Sequence, residues 1–289
     1  MKNWFLGISL LLLPLTAVAW LPAQHFSQEA SSLLVESHAE ATTACRLDPL
    51  DSPIPPGTGT IERLSGADLW LETDVTPEDR VQIRRGLSAV QAYISTTLES
   101  SLPVLACFDV RASNVGPAGS AMEKGNQVLF LSTPQGWPGK QPWQMAKVAA
   151  HEYVHVWQED VAGSAYSSSS VWLIEGMAEW MAYQSLAEAG ILTQDQIPAP
   201  SGKRKALAPP LELLETPQGW NGTLQPYGQA FQAVDQLIMG KSLAAFESYL
   251  GDLSKGLSWQ DAFKAAFELP PAAFYKRFDT NSSSIGSAP

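Results

Sequence analysis

The chain changes hydrophobic rhythm part-way along its length. Ala67-Asp68-Leu69-Trp70-Leu71-Glu72-Thr73 nearly alternates apolar and polar side chains, the period of a half-buried strand. Thr76-Pro77-Glu78-Asp79 then offers a capping hydroxyl, a proline at the first helical position and first-turn acids, which predicts a helix. Its inner side is expected to carry Val81, Leu87, Val90, Ile94 and Leu98. Leu102 to Val110 and Gly125 to Thr133 read as two further strands, giving a small sheet packed on that helix.

From Trp143 onward the pattern is helical. One helix is predicted from Trp143 to about Glu159, and another from an N-cap at Ser170 to Ala189, stopped by Gly190. Tyr227–Met239, Leu243–Leu250, Trp259–Phe267 and Ala272–Phe278 fit four more. The expected fold class is therefore α+β, a small N-terminal sheet followed by a mainly helical C-terminal part. Prolines and glycines crowd residues 48–60, which is linker chemistry. The predicted divisions are 1–19 a leader, 20–64 a proline-rich segment, 65–280 the folded domain and 281–289 a flexible tail.

Composition narrows the picture. With 289 residues, 45% apolar and 16% charged, the chain is long enough and apolar enough for one substantial core. A formal net charge of −11 repels phosphate backbones and argues against nucleic acid as a partner. Lys2, the apolar run Trp4 to Leu13 and Ala17-Val18-Ala19 read as a Sec-type bacterial signal peptide. A secreted or periplasmic protein is expected, with no membrane span after signal cleavage. The two cysteines, Cys45 and Cys107, are either a disulfide, as export favours, or two buried thiols.

The chemistry concentrates in His151-Glu152-Tyr153-Val154-His155. On a helix, positions i and i+4 share a face, so both imidazoles reach one zinc ion. Glu152, about 100° round the helix, is placed to act as general base on a zinc-bound water. Catalytic zinc takes three protein ligands and leaves one position open. The other two of the four histidines, His25 and His38, lie in the N-terminal segment, so a carboxylate is needed. In Trp172-Leu173-Ile174-Glu175-Gly176-Met177-Ala178-Glu179-Trp180, Glu175 is the simplest third ligand. Glu179, one turn later, would hydrogen-bond a ligand histidine. The reverse assignment, with Glu179 on the metal, stays open.

HEYVH followed by WLIEGMAEW resembles the gluzincin metallopeptidases, and most of all the bacterial peptidase-MA-like family. The resemblance implies a zincin-like fold, with Glu175 as third zinc ligand. It also implies a sheet over the HExxH helix whose edge strand, Gln127 to Ser132, holds an extended peptide by strand addition. Gln158 and Val161 stand where a metzincin needs Gly and His. Tyr227, opening a helix after an irregular stretch, matches a tyrosine-bearing helix of the relatives. It is a candidate oxyanion donor or a tyrosine packed at a helix start. The expected protein is a zinc-dependent peptidase with one Zn2+ and peptide or protein substrates. The alternative is a non-catalytic zinc-binding cell-envelope protein that uses the cleft for recognition.

Overall fold

Thr76 begins the first helix as its sequence predicts, with Oγ1 accepting the Asp79 N–H at 3.2 Å. The computed structural model describes residues 59–65, 67–98, 100, 106–112, 120–124, 127–132, 141–198, 209–220, 225–239 and 241–284. The leader, Cys45 and Trp137 lie outside the described residues. The strands are β1 (Gly59–Leu64), β2 (Ala67–Glu72), β3 (Ala106–Ala112), β4 (Ser120–Lys124) and β5 (Gln127–Ser132). The helices are α1 (Pro77–Thr96), α2 (Pro142–Ala162), α3 (Val171–Glu188), α4 (Gln225–Ile238), α5 (Ala244–Ser254), α6 (Trp259–Phe267) and α7 (Pro271–Ser284).

The five strands form one sheet in the order β1-β2-β3-β5-β4. Its middle is parallel, β2 with β3 and β3 with β5. An antiparallel hairpin partner closes each side, β1 on β2 and β4 on β5. Two sequence expectations are corrected here. The sheet starts at Gly59, inside the segment read as linker, because β1 pairs with β2 across only two residues, with Leu64 opposite Ala67. Gln127–Ser132 is an interior strand, and the edge strand is β4, whose Lys124 pairs with Gln127.

α1 buries Ile83, Leu87, Val90 and Ile94, a face with i, i+4, i+7, i+11 spacing. Val81 was expected inside but is exposed, being about 200° from Ile83 by helical rotation. α2 extends from Pro142 at its first position to Gly163, whose φ of 60° ends it. Tyr153 on α2 is fully buried and stacks on Phe108 of β3, ring centroids 6.5 Å apart, so the sheet and the HExxH helix share a core. α3 is apolar all round, as a helix enclosed by others must be, and packs on α1, α2 and α4. Ser170 is its N-cap as predicted, but the hydroxyl makes no capping bond; Gly190, φ 66°, follows its end. α7 continues to Ser284, into the 281–289 stretch expected to be a flexible tail. Cys107 is disulfide-bonded, and Cys45 is the only other cysteine of the chain. Among the described residues no helix is long and apolar enough to cross a membrane.

Candidate metal centre

α2 and α3 cross so that His151, His155 and Glu175 converge, with donor atoms all within 4.8 Å of one another. His151 Nε2 and His155 Nε2 are 3.0 Å apart. Glu175 Oε2 is 3.2 Å from the first and 3.5 Å from the second. Three ligands of a tetrahedral zinc ion, at about 2.0–2.1 Å each, stand about 3.3 Å apart. The triangle therefore fits zinc.

The far side of each imidazole makes the same point. His151 Nδ1 is 3.0 Å from Glu179 Oε2, and a carboxylate there accepts, so Nδ1 carries the proton. His155 Nδ1 is 2.9 Å from Gln158 Oε1. Gln158 Nε2 donates to the Ile174 carbonyl at 3.0 Å, which fixes the oxygen as the atom facing His155. Both Nε2 atoms then carry lone pairs, and the Glu175 carboxylate adds a third acceptor. With both imidazoles neutral, three acceptors aim at one point, an arrangement that suits a cation.

Glu179 has different partners from Glu175. It reaches only the far nitrogen of His151, and both its oxygens accept from Lys147 Nζ, at 2.9 and 2.7 Å. Burial by itself raises the Glu179 pKa, but the Lys147 ammonium and the His151 ring outweigh it and bring it down to about 2. Burial alone would likewise lower the pKa of Lys147, yet Glu179 leaves it net raised. Burial opposes ionisation of Glu175 too, but the two histidines hold its pKa well below the ordinary value. His151 is raised: burial works against its charge, and the bonds to Glu175 and Glu179 prevail.

Glu152 sits one position round the same helix. Burial raises its pKa; the histidine charges pull it down and Glu175 pushes it up. Tyr227, near the start of α4, has its ring centroid 6.0 Å from that of His151. Burial, then Glu175, Glu152 and Glu179, raise its pKa, so the phenol stays protonated. Tyr153 and Tyr183 are buried packing residues, and Trp220 lines a cavity of about 350 Å³ together with Glu175 and Tyr227. The sequence reading did not identify Lys147, Gln158 or Tyr166, whose hydroxyl lies 2.9 Å from His155 Nδ1. Lys147 had a signal: it is a lone cation in an apolar stretch, one helical turn before His151.

No protein-family model matches the chain, and no curated protein matches it. Among solved structures it is similar to an M1 zinc metallopeptidase from Deinococcus radiodurans, at 15% identity over 77% of this chain and 50% of that one, TM-score 0.47. A variant of that enzyme bound to a Tyr-Ser-Ala substrate gives 16% identity, the same coverages and a TM-score of 0.48. An aminopeptidase N family protein from Idiomarina loihiensis gives 16% identity over 79% of this chain and 42% of that one, TM-score 0.43. The chain thus spans half the length of these structures or less.

Proposed function

We propose that the protein is an exported zinc-dependent peptidase of zincin-like fold, resembling the gluzincins. The observation that carries this reading is the convergence of three acceptor atoms, from His151, His155 and Glu175, beside the carboxyl of Glu152. A bound zinc ion would supply Lewis acidity and lower the pKa of a water in its open fourth position. Glu152, made more basic by burial, takes the proton of the attacking water and returns it to the leaving amine. Tyr227 donates a hydrogen bond to the oxygen that becomes negative as the carbonyl is attacked. Glu179 and Gln158 keep the two imidazoles in the tautomer that presents Nε2. The free edge of β4 is the candidate surface for an extended peptide, by strand addition.

The test is Glu152→Gln. The zinc-loaded wild type is expected to cleave a mixed peptide pool, read by mass spectrometry. The variant is expected to bind zinc equally and cleave nothing. Substantial turnover by the variant removes Glu152 from the mechanism. Zinc binding by the wild type with no cleavage of any peptide favours the recognition reading instead.

A further inference from the structure

The cavity beside the triad shares Glu175 and Tyr227 with the hydrolytic chemistry, and the rest of its wall takes no part in that chemistry. Its apolar wall is Val171, Ile174, Pro217 and Trp220. Ile174 immediately precedes Glu175, so this wall is continuous with the metal ligands. Trp220 is held in place: Nε1 donates to the Leu214 carbonyl at 3.2 Å, and its ring meets Tyr227 edge-on at 4.9 Å. A Cβ at Gly219 would lie 1.7 Å from the Leu213 carbonyl oxygen, so the turn that sets Trp220 needs glycine.

Apart from Tyr227, the uncharged polar side chains on the wall are engaged within the protein. Ser167 Oγ donates to the Ser164 carbonyl at 3.3 Å. Ser169 Oγ pairs with Tyr249 at 2.6 Å, and Tyr166 pairs with His155. Among the described residues no lysine, arginine or histidine lines the cavity, and the one charged group there is Glu175, which faces both histidines. An acidic group entering would lose its water against a largely apolar wall. A lysine would find only a carboxylate already engaged. A large apolar group has no such cost and gains from burial. At about 350 Å³ the space lies at the small end of ligand pockets, which run about 300–1,000 Å³. It has room for one bulky side chain.

We propose that this cavity is the specificity pocket of the site, holding the large uncharged side chain, aromatic or branched aliphatic, of the residue next to the scissile bond. The proposal rests on the peptidase reading, and its test separates the two. Zinc-loaded protein is titrated calorimetrically with the N-acetyl hydroxamates of phenylalanine, alanine and aspartate, and cut sites are mapped in a peptide pool. The phenylalanine compound is expected to bind at least about 10-fold tighter than the alanine one, with aspartate weakest. Cut sites are expected to carry a large apolar residue at one fixed position. Ser167→Trp, which fills the cavity from its exposed rim, and Val171→Phe are each expected to abolish the phenylalanine advantage, with zinc content as the check on folding. Equal binding of the phenylalanine and alanine compounds, or a ranking unchanged in both variants, overturns the pocket while Glu152-dependent cleavage stands. An intact ranking with no peptide cleaved overturns the peptidase reading alone. Binding of none of the three overturns both.

Discussion

Glu175 and Glu179 are one helical turn apart, yet they address opposite nitrogens of His151, 3.2 Å from Nε2 and 3.0 Å from Nδ1. Glu175→Gln is therefore expected to lose zinc outright. Glu179→Gln is expected to weaken binding by about 10- to 100-fold, the usual cost of losing a partner behind a ligand. Zinc titration of both variants decides it, and the reverse order would exchange their roles. Tyr227→Phe is expected to lower kcat by about 10²–10³ with zinc stoichiometry intact, as loss of one oxyanion donor does. A near-normal kcat with a lower Tm would make Tyr227 a packing residue. The convergence of His151, His155 and Glu175 was legible because HExxH and the Glu-x-x-x-Glu spacing are themselves statements of helical geometry. Gln158 and Lys147 were not read, because their roles depend on α3 lying across α2. The sequence says nothing about that crossing.

Between elements, the contact of α3 with α4 places Glu175 near Tyr227. At Gly176 a Cβ would lie 2.6 Å from the Ala230 carbonyl oxygen and 2.7 Å from Val234 Cγ2. Helix propensity favours Gly176→Ala by about 1 kcal/mol, but forcing a methyl into that contact costs about 1–3 kcal/mol. Packing is expected to win: Tm falls, and kcat falls with it as the two helices separate. A raised Tm with unchanged kcat would show the helices yielding without consequence. The helices were well placed from sequence, since capping residues, breakers or an apolar face mark them. The two missed strands, β1 and β4, are the hairpin partners on the two sides of the sheet. Their signal was the turn and not the strand: Ser65-Gly66 and Gly125-Asn126 are two-residue connections of the hairpin kind. Reading Gly125-Asn126 as part of a strand hid β4 and left β5 at an edge it does not occupy.

Across the whole molecule, the cavity draws on residues 166–175, 217–220 and 227, three stretches whose meeting no local pattern announces. The ligand set is distributed in the same way, with two histidines on α2 and one carboxylate on α3. Gln158 joins the two. Its amide oxygen accepts from His155 while its nitrogen donates to Ile174, the residue before Glu175. The ligand helices are thus clasped by a side chain that is not itself a ligand. Zinc entering such a frame has almost no apolar surface left to bury, so its binding should show a heat-capacity change near zero. Domains that fold around their metal behave differently, coupling binding to large apolar burial and a strongly negative value. Calorimetric titrations with zinc at several temperatures measure this directly, and a large negative slope in the wild type would mean that the site is assembled by the metal. In Gln158→Leu, with the clasp removed, the slope is expected to turn negative as the ion takes over the work of bringing the two helices together.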